Sequence, residues 1–293
     1  MPQTPRYPIY VPSRGRFKLP LTARFLARDR VPFRVVVERE EVEAYAAAVG
    51  ADRLLVLPES GRGLVYARNW IMDHSIAEGH ARHWQLDDNI GEVVRCYRGR
   101  RLACDSAPAF AAVEDLVDRY ENVALAGLAY RFFAHQCPRP FVRNVHVYSC
   151  TLVDNAIEQR WRLVYNDDTD ICLQVLAAGL CTLLVNAFAV DKKRTMTIRG
   201  GNTDALYRGD GRLRMARQLE RMWPGVVTVE RRFGRPQHVI KAAWRKFDTP
   251  LRLRADVDLD ALPPHDEYGF ELSAVGDVKS ARLRALQEHH AAL

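Results

Sequence analysis

The stretch Arg82-His83-Trp84-Gln85-Leu86-Asp87-Asp88-Asn89-Ile90-Gly91 decides how the chain is read. Strand-forming residues at 83–86 run into two consecutive acids, and the Asp-Asn-x-Gly that ends the stretch is turn chemistry. Such a strand places Asp87 and Asp88 at the rim of a sheet. In open α/β sheets, the rim at the carboxyl ends of the strands is where ligands bind. Paired carboxylates there can hold a hard divalent cation, Mg²⁺ or Mn²⁺, which in turn holds a diphosphate. A solvated turn uses the same residue types, so the chain on either side has to decide between the two.

Upstream, apolar runs predict strands over 7–11, 33–37 and 53–57, with helices over 17–27 and 42–49 between them. That spacing argues for an α/β fold built on a parallel sheet with crossover helices. The first strand ends in Pro12-Ser13-Arg14-Gly15-Arg16, a flexible turn with two guanidinium groups suited to gripping phosphate. The second ends at Glu38. The third leads through Pro58-Glu59-Ser60-Gly61-Arg62-Gly63 into a helix over 64–77 that carries Arg68 and Asn69. The free N–H groups at that helix start suit an anion. The dinucleotide and P-loop fingerprints are both absent.

Downstream, the four arginines of 95–101 predict a loop or hairpin, followed by a helix over 108–120 and a buried strand over 123–128. Residues 130–140 read as an irregular loop and 145–153 as a long strand. A second acidic cluster, Asn166-Asp167-Asp168-Thr169-Asp170, precedes a helix over 171–178. Asp and Thr are good helix caps, yet three acids in four positions exceed what one cap needs. A spare carboxylate there can act as general base for a hydroxyl nucleophile. A strand over 182–190, a polar loop at 200–204, a helix over 215–223 and a short terminal helix over 280–292 complete the pattern.

Among the 293 residues, 48% are hydrophobic, ample for a core, and no apolar run is long enough to span a membrane. The N-terminus lacks the apolar core of a secretory signal, and six scattered cysteines without a CxxC read as reduced thiols. A cytoplasmic protein without a membrane partner is the expectation. The net charge of +7 is uneven: residues 231–254 hold eight Lys or Arg against Asp248 alone. Within them Trp244 and Phe247 sit among Lys241, Arg245 and Lys246. Cations interleaved with aromatics suit a nucleic acid, while an aromatic stripe packed under snorkelling cations gives the same pattern. The expected organisation is a catalytic domain over 1–230 with a basic segment over 231–293 that packs on it and contacts DNA.

Together, Ile9-Tyr10-Val11-Pro12-Ser13-Arg14-Gly15-Arg16, Ala67-Arg68-Asn69, Leu86-Asp87-Asp88-Asn89 and Asn166-Asp167-Asp168-Thr169-Asp170 resemble a GT-A glycosyltransferase. More narrowly, they resemble the TET-associated glycosyltransferases of phages. The resemblance implies a Rossmann-like, mostly parallel central sheet flanked by helices. It implies a nucleotide-sugar donor, a uridine diphosphate sugar, and a divalent metal. The implied acceptor is the hydroxyl of 5-hydroxymethylcytosine in DNA, supplied by a TET-type dioxygenase in the host cell. Pro12, Ser13, Arg14, Arg16, Glu38, Arg68 and Asp87 then stand where the donor is held. Asp87, Asp88 and Asn89 stand at the family's DxD motif, with Asn in place of the third acid, and a late His, best matched by His238, completes the metal set. Asp168 or Asp170, with Asp167 beside them, stands at the catalytic base. Three rivals share parts of this pattern: a transferase acting on glycans or small molecules, a non-catalytic DNA-binding module, and a sugar nucleotidyltransferase. The Gly-rich phosphate loop of the last is not seen after the first strand.

Overall fold

The α/β reading holds. A computed structural model describes residues 4–97, 100–131, 139–192, 211–232 and 234–268. In chain order the elements are β1 (Ile9–Pro12), α1 (Leu21–Arg28), β2 (Arg34–Val37), α2 (Val42–Val49), β3 (Leu54–Val56), α3 (Gly63–Ala77), β4 (Arg82–Leu86), β5 (Ile90–Tyr97), β6 (Arg100–Ala103), α4 (Ser106–Val117), β7 (Val123–Tyr130), β8 (Phe141–Arg143), β9 (Cys150–Asp154), α5 (Asp167–Ala177), β10 (Cys181–Lys192), α6 (Gly211–Met222), β11 (Val227–Arg232) and β12 (Arg235–Ile240). The chain divides into two units, Met1–Leu253 and Arg254–Leu293. In the second, residues 254–268 form irregular chain with local contacts such as an Arg254–Asp256 ion pair at 3.0 Å.

Ten strands of the first unit form one sheet in the order β3-β2-β1-β4-β9-β7-β10-β5-β6, with β8 also pairing β10. Propagating the pairings, β1, β2, β3, β4, β6, β7 and β10 run one way, and β5, β8 and β9 run the other. The chain moves outward from β1 to β3 and then returns to place β4 on the other side of β1. That reversal opens a crevice at the carboxyl ends of β1 and β4, the place where open α/β sheets take their ligands. This is a Rossmann-like, mostly parallel central sheet flanked by helices, as the resemblance implied.

Strand β4 is buried along its whole length, so every polar side chain on it needs a partner. Side chains alternate across a strand. Trp84 goes to one face, where its indole donates to Glu114 of α4 at 2.8 Å and its ring lies 4.9 Å from Phe110. His83 and Gln85 go to the other face, under α3. Gln85 Nε2 donates to the Arg68 carbonyl at 3.1 Å and to His83 Nε2 at 2.9 Å, while His83 Nδ1–H donates to Asn155 at 2.6 Å.

Two expectations change, and a third narrows to one of its two forms. The strand expected over 145–153 begins only at Cys150, because Asn144 (φ 54°) and Ser149 (φ 66°) adopt left-handed backbone that an extended strand excludes. The helix expected from 171 begins at Asp167, so all three acids of the second cluster lie in its first turn. The arginine-rich segment is a hairpin, and its first strand starts directly after Asn89. The aromatic pattern near the C-terminus resolves inward: Trp244 and Phe247 pack on the cluster of Leu163, Leu173, Leu219 and Val227, while Lys241, Arg245 and Lys246 are exposed. The loop at 200–204, the helix over 280–292 and most of the irregular loop at 130–140 lie outside the described residues. Among the described residues, Cys96, Cys104, Cys150, Cys172 and Cys181 are free thiols, and no helix is long and apolar enough to cross a membrane.

The buried imidazole gives a pH signature. Burial pushes His83 down from 6.5 to about 4. Between those values the unfolded chain holds the proton and the folded chain does not, so stability falls as pH drops through that window and levels off below it. The expected contribution is about 3 kcal/mol. Urea unfolding from pH 7 to pH 4 measures it, and His83→Gln should flatten that part of the profile.

Candidate active site

A cavity of about 310 Å³ opens at the carboxyl ends of β1, β2, β3 and β4. The β1 end supplies Pro12, Ser13, Arg14 and Arg16, and the β2 end supplies Glu38. Arg14 Nε lies 3.2 Å from Glu38, whose other oxygen accepts the Gly61 N–H at 2.9 Å. The start of α3, Gly63 and Leu64, forms another part of the wall without a side-chain cap on its first N–H groups. An uncapped helix start of this kind favours an anion.

Asp87 and Asp88 both line the cavity, but they diverge, as adjacent residues at a strand end do. Asp87 continues the face of His83 and Gln85. It meets Arg68 of α3 at 3.3 Å and Lys192, the last residue of β10, at 2.6 Å. Asp88 continues the other face. Its Oδ2 accepts from Ser13 Oγ at 2.8 Å, and Arg16 forms an ion pair with its Oδ1. Ser13 is held in turn by the Tyr45 hydroxyl at 2.6 Å. Burial alone would raise Asp87, but Lys192 and then Arg68 outweigh it and hold the carboxyl below its usual range. At Asp88 burial wins over Arg16, and the carboxyl lies above its usual range.

The second acidic cluster reaches the same cavity from the start of α5. Asp167 Oδ2 lies 3.0 Å from Arg68 Nε, so one buried guanidinium touches both clusters. The neighbouring Asn69 fixes the loop that leads to α5: its amide donates to the Trp161 carbonyl at 2.8 Å and accepts the Trp161 N–H at 3.0 Å. Asp168 faces His146, with Nε2 at 3.3 Å. Burial pushes Asp167 up against the pull of Arg68; Asp168 is held far below the carboxylate range, where His146 overcomes burial. Adjacent carboxyls pushed in opposite directions are a common arrangement where proton transfer is done.

Two predicted residues lie elsewhere. Asp170 is fully buried and turned from the cavity, where Arg162, Gln174 and the Trp223 indole give it four hydrogen bonds between 2.8 and 3.0 Å. His238 sits 3.5 Å from Thr169, and its charged neighbours are Asp168 and His146. Asn89 lines the cavity beside Asp88. Sequence reasoning missed Lys192, Ser149 and His146. Lys192 ends a strand that runs with β1 and β4, and a register shift beside Asp191 separates its partner Ile90 from Glu92. Asp191 takes the Arg131 ion pair and Lys192 turns to Asp87, the kind of re-aiming that bulges give near active sites.

The family model for TET-Associated Glycosyltransferase matches residues 7–201. The chain belongs to that family. It is a glycosyltransferase, and the matched span runs from β1 past the end of β10, so it holds both acidic clusters and Lys192. Among solved structures, the chain is similar to a protein described as a nucleotide-diphospho-sugar transferase from Desulfovibrio desulfuricans, at 13% identity over 61% of this chain and 79% of that one, with a TM-score of 0.36. It is also similar to a protein described as a mannose-1-phosphate geranyltransferase from Thermus thermophilus, at 15% identity over 65% and 76%, with a TM-score of 0.38. Nothing about activity follows from likeness at that level. No curated protein matches the chain.

The resemblance to GT-A glycosyltransferases implies a divalent ion, and the donor set can be tested for one. Asp87 and Asp88 point to opposite sides, and each already meets cationic side chains of the protein. Among the described residues, no three His, Cys, Asp or Glu side chains converge as a metal would need. These residues do not fit a divalent ion as they stand.

The division among the three acids of α5 is testable. Asp170→Ala leaves the Trp223 and Gln174 donors without their acceptor in a buried place, and should cost about 1–3 kcal/mol of stability. Asp168→Asn keeps nearly the same shape in a half-open place and should cost well under half of that. Chemical denaturation of the two variants compares them.

Proposed function

We propose that this glycosyltransferase moves a sugar from a uridine diphosphate sugar to the hydroxyl of 5-hydroxymethylcytosine in DNA. One observation carries the reading: the phosphate-gripping arginines that follow β1, the acids that end β4 and the carboxylates of α5 line a single cavity, joined by Arg68. The nucleotide lies along the ends of β1 and β2, against Pro12, Ser13, Arg14 and Glu38. Its diphosphate reaches Arg16, Arg68 and the rim of Asp87. As the acceptor oxygen bonds to the anomeric carbon, the bond from that carbon to the diphosphate oxygen breaks and its electron pair stays on the diphosphate. Fixed cations stabilise that charge where it develops. The hydroxyl proton passes to a carboxylate of α5, Asp168 with Asp167 beside it. A base acting opposite the leaving group gives inversion at the anomeric carbon. Asp170, already saturated by hydrogen bonds, takes no part. No step is routed through a metal.

The acceptor follows from the family and from charge. Lys241, Arg245 and Lys246 are exposed in the basic stretch, and such a cluster offers phosphate contacts to a DNA backbone. The packing of Trp244 and Phe247 leaves that contact electrostatic, without base stacking from these rings. A stacked cytosine has to be flipped or exposed before its hydroxyl can enter the cavity. The substrate is made by a TET-type dioxygenase in the same cell.

The test is mass spectrometry of nucleosides from hydroxymethylated DNA incubated with the protein and a panel of nucleotide sugars. A mass gain of one sugar on 5-hydroxymethylcytosine is expected, absent with unmodified DNA. Asp168→Asn should lower turnover by about 100-fold or more, the scale of a lost general base, while DNA binding stays as it was. Transfer to free glycans but not to DNA would replace the acceptor with a glycan.

A further inference from the structure

The acidic rim carries its own cation. Lys192 Nζ lies 2.6 Å from Asp87 and 2.8 Å from Ser149 Oγ, and its side chain is largely buried in the wall of the cavity. Arg68 meets the other oxygen of the same carboxylate at 3.3 Å. Two positive side chains thus bracket Asp87 where the family pattern places a metal-binding acid. An ammonium has three N–H groups and a guanidinium five. Among the described residues, Asp87 and Ser149 take two of those on Lys192, and Gln85 and Asp87 take two of those on Arg68, whose Nε forms an ion pair with Asp167, which leaves N–H groups on both for phosphate oxygens.

We infer that Lys192, together with Arg68, fills the role of the divalent ion: the two cations hold the donor's diphosphate, and Asp87 is the clamp that keeps both at the rim. This rests on the donor-site reading proposed above. Several features support it. The two acids of the rim diverge, Asp88 being engaged by Ser13 and Arg16, so they present no shared chelate. Four cations, Arg14, Arg16, Arg68 and Lys192, stand among five carboxylates in the cavity wall, Glu38, Asp87, Asp88, Asp167 and Asp168. The protein has therefore matched its own acids almost one for one. The register shift at the end of β10 turns Lys192 toward Asp87, a placement that a regular strand end does not explain. Cations held in advance by protein contacts need no reorganisation when the leaving group gains charge. Lys192 is therefore a donor-binding residue, and Asp87 and Ser149 position it.

The test is calorimetric titration of the full chain with UDP, in EDTA and again in excess Mn²⁺, alongside GDP, ADP, CDP and dTDP as controls. UDP should bind in both conditions with dissociation constants within about twofold. Lys192→Met should weaken UDP by about tenfold or more, the scale of one lost charged hydrogen bond, and Lys192→Arg should recover most of it. Thermal unfolding of the Met variant confirms that it is folded, and the EDTA comparison needs no variant. UDP binding that vanishes in EDTA and returns with Mn²⁺ overturns the inference and leaves the donor site standing. A folded Lys192→Met variant that binds UDP like the parent also overturns it. Failure of every nucleoside diphosphate to bind, with or without Mn²⁺, overturns the donor site itself and this inference with it.

Discussion

A single buried guanidinium joins the two acidic clusters of this molecule. Arg68 is 7% exposed and meets Asp87 at 3.3 Å and Asp167 at 3.0 Å. A charge taken out of water is costly unless it is paired, and removing one partner of such a set leaves the other uncompensated. The end of β4, the middle of α3 and the start of α5 therefore have to arrive together. Burial works against the cation, and Asp167 and Asp87 outweigh it, so Arg68 stays charged and the geometry is fixed before any ligand enters. Asn69, one residue along the helix, clasps Trp161 and closes the loop that delivers α5.

From that constraint the division of the cavity follows. Groups from the ends of β1, β2 and β4 form the side suited to a nucleotide and its phosphates. Groups from α5 and the 144–149 segment form the side suited to a hydroxyl. Asp168 leaves α5 about 100° away from Asp167 and about 200° from Asp170, because each step turns about 100°. Asp167 goes to Arg68, Asp168 to His146, and Asp170 into the core with Arg162 and Trp223. Three acids in one short stretch thus have three different surroundings.

Much of the fold was legible in the chain. Strands buried on both faces read as continuous apolar runs, and the helices between them are amphipathic, so the segments from β1 to β4 appear in order with small boundary errors. The rim of Asp87 and Asp88 was legible because turn residues end a strand sharply. The opposite orientation of the two acids follows from strand alternation, but a reading that treats them as a pair overlooks it. Lys192 left no local sign, since it lies 105 residues from the carboxylate it meets, and only the order of the sheet brings them together. Ser149 was hidden inside an apparent strand because β-forming neighbours surround it, and a left-handed φ at a serine is not written in composition.

The most direct measurement of the central claim is a crystal structure of the full chain with UDP bound. The account predicts the diphosphate within hydrogen-bonding distance of Arg68, with the uridine along the ends of β1 and β2 and the carboxylates of Asp167 and Asp168 facing the terminal phosphate. A nucleotide seated away from the ends of β1 and β4, with Arg68 out of its reach, would contradict it.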